Sequence, residues 1–234
     1  MKPQINHLTW HDSRGVLRSP VTVALVTDLH DCAYETWLHA MDNADLIAVV
    51  GDLTNRHTAD MPKNAERFLR DAASIAPVMY SIGNHEIKMQ ESGAWRQIME
   101  RSPAVILDNT LYRFRDDLVI GGLSSGEKPV NTRVLDSLEK EHGLRLLLCH
   151  HPEYFKPEIL HRSVDLTLSG HAHGGQIRIF GQGVYAPGQG LFPRWTSGFY
   201  FDRRLLVSRG VGSHGLPRLF DPCELILLTL LPRE

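Results

Sequence analysis

The 234-residue chain is poor in cysteine, has no long apolar run, and carries no excess of either charge; each shortage narrows what it can be. Its three cysteines, Cys32, Cys149 and Cys223, are odd in number, far apart, and form no CxxC pair. That excludes a zinc ribbon of paired cysteines and favours a reducing compartment over a disulfide framework. Cys32 and Cys149 read as inert fillers, with redox-sensitive neighbours of a metal site as the alternative, since only exposed, low-pKa thiols react readily. No stretch reaches the roughly 20 apolar residues of a membrane-spanning helix. Residues 1–20 hold no apolar run of signal-peptide length, so the expected location is the cytoplasm. With 25 Lys and Arg against 27 Asp and Glu, the formal charge is -2. The broad basic field of a dedicated nucleic-acid binder is missing, so no stable nucleic-acid partner is expected.

What is present is ordinary in bulk and unusual in detail. Apolar residues make up 42% and charged residues 22%, as in a globular chain with a sizeable core. Short apolar runs alternate with helical patterns. Val21–Val26, Leu46–Val50, Val78–Ile82, Arg145–Cys149 and Leu166–Ser169 read as buried strands. Tyr34–Met41, Lys63–Ala73, Ser92–Glu100 and Thr132–Glu141 read as helices. Val105–Leu107, Leu111–Phe114, Leu118–Gly121, Ile177–Phe180, Leu205–Ser208 and Leu225–Leu231 add further short strands. No repeat or linker interrupts the chain, so residues 1–234 read as one domain. The pattern is α/β with added antiparallel strands, and two packed mixed β-sheets flanked by helices accommodate it.

Five short blocks punctuate the ends of the buried runs: Asp28-Leu29-His30, Gly51-Asp52, Gly83-Asn84-His85-Glu86, His150, and Gly170-His171-Ala172-His173. Of 13 histidines, six lie in or beside these blocks. Loops favour Asp, Asn and Gly, but not so many histidines. In α/β sheets, ligands bind outside the carboxyl ends of the strands, so such blocks can meet on one rim. Their mixed imidazole, carboxylate and amide donors suit two adjacent divalent metals, with Mn favoured and Fe or Zn alternatives to it, over Mg or Ca. Two such ions about 3.5–4 Å apart suit displacement at phosphorus, because they stabilise both attacking and leaving oxygens and acidify a bridging water.

In this order the blocks resemble the motifs of the calcineurin-like metallophosphoesterases. The resemblance covers about Val21 to His173. The longer run Gly170-His171-Ala172-His173-Gly174-Gly175-Gln176, with Ser208-Arg209-Gly210, is similar to a bacterial phosphodiesterase-like branch. Many members of that branch carry an N-terminal membrane anchor, for which residues 1–20 show no counterpart. The resemblance implies a four-layer sandwich and a dinuclear phosphoesterase, a diesterase more than a monoesterase, acting on a small-molecule or lipid-derived phosphoester. It implies that Asp28, His30 and His173 hold one metal, that Asn84, His150 and His171 hold the other, and that Asp52 bridges both. His85 would not ligate; it would face the substrate and assist the leaving group.

Around these residues several readings stay open. Glu86 either supports the fold or accepts a hydrogen bond from His85. Asp31 is a solvated turn acid or a partner orienting a ligand histidine. Arg209 is structural or touches a substrate phosphate. His151 sits on the rim, and His7 and His11 lie on the surface. The aromatic stretch 191–201 is core or lid. The loops 55–65, 86–95 and 181–203 would set specificity. A catalytically silent metal-binding protein on the same fold, or a nuclease, is the alternative to an esterase.

Overall fold

Runs such as Val21-Thr22-Val23-Ala24-Leu25-Val26 are apolar on both faces, and β-branched residues favour the extended chain, so they form strands covered on both sides. The computed structural model describes residues 2–55, 63–89, 94–126, 130–213, 215 and 217–233. In chain order the elements are β1 (Gln4–His11), β2 (Val21–Val26), α1 (Glu35–Leu38), β3 (Leu46–Val50), α2 (Lys63–Ala73), β4 (Val78–Ser81), α3 (Asn84–Met89) and α4 (Ala94–Arg101). Then come β5 (Val105–Leu107), β6 (Leu111–Arg115), β7 (Leu118–Leu123), α5 (Arg133–Leu138), β8 (Leu144–Cys149) and β9 (Leu166–Ser169). Four two-residue strands, β10 (Arg178–Ile179), β11 (Gln182–Gly183), β12 (Tyr185–Ala186) and β13 (Gly190–Leu191), precede β14 (Gly198–Tyr200), β15 (Leu205–Val207) and β16 (Glu224–Leu231).

Two mixed six-stranded sheets result, with orders β1-β16-β2-β3-β4-β5 and β14-β15-β9-β8-β7-β6. Strands β2 to β5 run parallel, as do β7, β8, β9 and β15; β16 lies antiparallel to β2, and β6 and β14 are antiparallel edges. Alternate residues of the facing strands, among them Val23, Leu25, Ala48 and Val50 from one sheet and Ile120, Leu146, Leu148 and Leu168 from the other, form the central core. The opposite face of the first sheet buries Ala24, Val26, Ile47 and Val49 against Phe68 and Leu69 of α2 and Trp37 of α1. The outer face of the second buries Val119, Leu147 and Val207 against Val134, Leu135 and Leu138 of α5. The layering is therefore helix, sheet, sheet, helix. Each fully buried Leu or Val in it contributes about 1.5–3 kcal/mol of transfer free energy.

Most predicted elements stand within a residue or two of their expected limits, and α5 is shorter at both ends. Three differences have physical causes. Strand β1 is absent from the expected elements because its sequence Gln-Ile-Asn-His-Leu-Thr-Trp-His has no apolar run; only Leu8 and Trp10 turn toward the core, and pairing with β16 fixes it. Ile177–Phe180 is not one strand: Phe180 and Gly181 have φ of 49° and 83° and turn the chain into the β10–β11 hairpin. Helix α4 is described from Ala94, and Ser92 lies outside the described residues, as do parts of the 55–65 and 86–95 loops.

Candidate metal centre

Parallel strands deliver their carboxyl ends to one edge. The loops leaving β2, β3 and β4 therefore lie together, and the loops leaving β8 and β9 meet them from the other sheet. Backbone and side-chain bonds tie the two edges. His150 Nδ1 is 2.7 Å from the carbonyl of Val50, Ser81 Oγ donates to the carbonyl of Leu148 at 3.1 Å, and the amide of His171 donates to the Asp28 carboxylate. The chain turns sharply where the donors sit. Asp28, His30, Asp52, His171 and His173 all have left-handed backbones, with φ of 54°, 52°, 54°, 64° and 45°. For non-glycine residues this conformation costs about 1–2 kcal/mol each, and strain of this kind gathers at functional sites. Gly51, at φ 76°, provides the turn before Asp52. Gly83 leaves no room for a side chain, since a Cβ there would lie 2.3 Å from the Asp52 amide.

Seven donors converge. Asp28, His30 and His173 form one group able to hold a metal ion, and Asp52, His150 and His171 form another. A third grouping, His30, Asp52 and His85, connects them. His30 Nε2 and His173 Nε2 are 3.2 Å apart, and the latter is 3.5 Å from Asp28 Oδ1. His150 Nε2 lies 3.1 Å from Asp52 Oδ2, and His85 Nε2 lies 3.8 Å from the same oxygen. Asn84 Oδ1 and His150 Nε2 are buried without a hydrogen-bond partner, the geometry at His150 missing alignment with Asp52 despite the short distance. Buried polar atoms are normally satisfied, so the orphaned Asn84 oxygen, like a His150 nitrogen once it gives up its proton, offers a lone pair that a cation would complete. The residues present fit divalent metal ions.

The electrostatics agree. Burial, reinforced by His173 and opposed by Asp52, brings His30 down to about 3. Burial and then the Arg218 guanidinium hold His173 at about 3. Burial, with His151 and His150, keeps His171 well below its ordinary value. These three imidazoles are neutral, the form that ligates metal. Asp52 and His150 form the charged pair. Burial pushes Asp52 up, but His150, His85 and His30 outweigh it and hold the carboxyl well below its usual range. Burial works against a charged His150 too, yet Asp52, Asp28 and the Val50 carbonyl raise it to about 10. A metal-free His150 thus carries a proton that a cation must displace.

The structure decides between the open readings of Glu86 and Arg209 and gives Asp31 a third role. Glu86 supports the fold: its Oε2 accepts from the amides of Asp52 (2.8 Å) and Gly83 (2.7 Å), and its Oε1 from the amide and hydroxyl of Thr54. It ties the second and third ligand loops together. Asp31 neither stays solvated nor orients a ligand; Oδ1 accepts from the amides of Asn64 and Ala65, both at 2.8 Å, and caps α2. Arg209 is structural, its Nη2 bonded to Glu224 Oε2 and Gln4 Oε1 at 2.8 Å each. The aromatic stretch divides: Trp195, Tyr200 and Phe201 pack on the outer face of the second sheet, whereas Leu191 and Phe192 are exposed. Cys149 is buried, which pushes its thiol upward and keeps it inert.

The donors open onto a cavity of ≈ 610 Å³ lined by Asn84, His85, Lys88, Glu153, Gln176 and Tyr185, among others. Sequence reasoning does not single out Glu153, Gln176 or Arg218. Glu153 meets His151 Nδ1 at 2.9 Å, and Arg218 Nη2 lies 3.2 Å from His173 Nδ1. Gln176 stands at the end of the block Gly174-Gly175-Gln176, which is the one available signal. Glu153, in a short 3-10 turn, and Arg218, in a loop, stand apart from the blocks, and only folding brings them in.

Comparison with known proteins accords with this geometry. The family model for calcineurin-like phosphoesterases matches residues 21–175, and the chain belongs to that family. The Caenorhabditis elegans protein F40B5.2, named as a metallophosphoesterase, is 27% identical over 245 residues, covering 90% of this chain but 48% of its own length. The uncharacterized protein YpbG of Bacillus subtilis is 25% identical over 246 residues, covering 98% of this chain and 89% of its own. The chain thus spans about half the length of the nematode relative and most of the bacterial one. Among solved structures, a 5'-nucleotidase precursor from Thermus thermophilus aligns at 12% identity with a TM-score of 0.47, over 69% of this chain and 43% of that one. The chain thus carries His and Asp groups that could hold a divalent metal, and among the described residues no helix is long and apolar enough to cross a membrane.

Proposed function

We propose that the chain is a dinuclear metal-dependent phosphodiesterase. The observation that carries this reading is the position of Asp52, whose carboxylate belongs to the His150–His171 group and also reaches His30 and His85 beside the Asp28–His173 group. In this reading Asp28, His30 and His173 hold one ion, Asn84, His150 and His171 the other, and Asp52 is shared. Mixed imidazole and oxygen donors favour Mn, with Fe or Zn as alternatives. When bound, the ions supply positive charge for the phosphoryl oxygens and an acidified water as nucleophile.

The chain's own residues supply the remainder. The Val50 and Thr54 carbonyls, 2.7 Å and 3.3 Å from the Nδ1 atoms of His150 and His30, turn the Nε2 lone pairs inward. The amide of His85 donates to Asp52 Oδ1 at 2.9 Å and fixes that carboxylate's orientation. His85 itself lines the cavity, which supports a role in handing a proton to the departing alkoxide. A diester is favoured over a monoester because, among the described residues, the cavity wall offers one cationic side chain, Lys88, alongside the carboxylate of Glu153, a poor setting for a dianion. The substrate class is a small-molecule or lipid-derived phosphodiester. The test is hydrolysis of bis(p-nitrophenyl) phosphate against p-nitrophenyl phosphate with Mn, Fe or Zn restored to the metal-free protein. Asp52→Asn should weaken uptake of both ions and abolish turnover. His85→Ala should keep both ions and lower kcat by about 10²–10⁴-fold, the range of general-acid assistance. Full metal-dependent turnover in Asp52→Asn would refute the scheme, and a monoester preference would refute the substrate class.

A further inference from the structure

A second cavity, of ≈ 530 Å³, lies at the opposite pole, where β8, β9 and β15 begin and β1 ends. Strand β8 runs from this pole at Arg145 to the metal centre at His150, so the two cavities are separated by roughly 15–20 Å at about 3.3 Å per residue. No metal-centre residue lines it. Five arginines do: Arg14, Arg145, Arg162, Arg203 and Arg204. The acids beside them are Asp165 and Asp202. In a chain of net charge -2 this is a local reversal of sign.

The partners of the arginines decide what the pocket can do. Arg14 pairs with Asp165 at 2.7 Å, and Arg162 Nη1 pairs with Asp136 and Glu139 at 2.7 Å and 2.8 Å. The other three are held by neutral carbonyls. Arg145 donates to Glu141 and Ser163, Arg203 to Thr9, and Arg204 to Leu160, Arg162 and Val164. Carbonyls fix a guanidinium without neutralising it. Arg204 spends all three nitrogens this way and is structural. Among the described residues, Arg145 Nη2, Arg203 Nε and Nη1, and Arg162 Nη2 have no such partner. The Arg203 guanidinium carbon also lies over the Phe199 ring, 3.8 Å from its centroid. Pre-fixed planar forks with unspent N–H groups recognise phosphate oxygens and lose little entropy on binding.

We propose that this pole is a second, metal-independent binding site for a small organic polyphosphate of about nucleotide size. A volume of ≈ 530 Å³ exceeds one phosphate group and falls in the range of sites for small organic ligands. Trp10, 6% exposed with its indole N–H on the Arg203 carbonyl, and Val164 supply an apolar wall for the organic part.

The experiment is hydrogen–deuterium exchange of the Mn-loaded protein with and without methylenediphosphonate, a non-hydrolysable probe. Binding at the pole slows exchange in segments 142–145, 162–166 and 202–205, and this protection persists in Asp52→Asn. In Arg145→Gln/Arg203→Gln the protection should vanish while turnover of the chromogenic diester stays unchanged. Arg203→Gln alone, which gives up one backbone bond, should bind about tenfold more weakly, the loss expected of one charge-assisted hydrogen bond. Protection confined to the metal-centre loops, or unchanged affinity in Arg203→Gln, overturns the proposal.

Discussion

Glu86→Gln tests the architecture of the centre more sharply than removal of a ligand. Glu86 is fully buried, and its two oxygens accept four bonds: the amides of Asp52 and Gly83 on Oε2, the amide and hydroxyl of Thr54 on Oε1. Gln has the same shape but only one acceptor oxygen. Its NH₂ must face either two amide donors or the Thr54 pair. At least one backbone N–H is then left unsatisfied in the interior, and the surviving bonds lose their charge. With charge-assisted bonds worth about 1.5–3 kcal/mol and an orphaned donor costing about 1–3 kcal/mol, the loss is about 3 kcal/mol. Part is returned because burial, followed by Asp52, raises Glu86 to about 7 and so makes its charge expensive. For a chain of this length, a loss of about 3 kcal/mol lowers Tm by about 6–12 °C. The Asp52 loop should also loosen, so Mn affinity falls although Glu86 touches no metal. Differential scanning calorimetry of the metal-free protein and Mn titration read the two effects. A Tm within about 3 °C of wild type, with unchanged Mn affinity, would refute the reasoning.

Other perturbations separate the remaining roles. With His150 raised to about 10 in the metal-free fold, metal uptake must expel its proton at any pH below that value; calorimetry in buffers of different ionisation enthalpy should find about one proton released per protein at pH 7–8, fading as pH passes 10. Affinity therefore rises with pH through the neutral range, and a release of zero would contradict the charge assigned to His150. Gly83→Ala places a Cβ 2.3 Å from the Asp52 amide, so the β4 loop must move; bound-metal analysis should show depleted metal in whatever protein folds. Asp31→Ala removes the cap of α2 and should cost about 0.5–2 kcal/mol by chemical denaturation while leaving turnover intact.

That the donor blocks would meet on one rim was legible in the sequence because each block follows an apolar run. A fully buried strand needs apolar residues on both faces, and the chain must turn where such a run stops. Asp28, Asp52, Asn84, His150 and His171 stand at those stops, and parallel pairing then gathers them. Strand β1 is not legible in the sequence because pairing with β16, rather than its own composition, makes it a strand. Glu86, Asp31 and Arg209 were visible as polar residues near the blocks, but their partners were not. A carboxylate accepting from four donors, a helix cap 33 residues away and an ion pair to Glu224 depend on which backbone groups the fold leaves unsatisfied.

Local sequence carried the succession of buried strands and helices and the kinds of donor at the strand ends, since periodicity and residue chemistry are local properties. Tertiary structure alone decided which donors share an oxygen, which histidine keeps its proton, and that five arginines from four separate segments meet at the far pole. Those outcomes depend on distances of 3 to 4 Å between residues more than a hundred positions apart in some cases, such as Asp28 and His173, and only packing the two sheets face to face sets them.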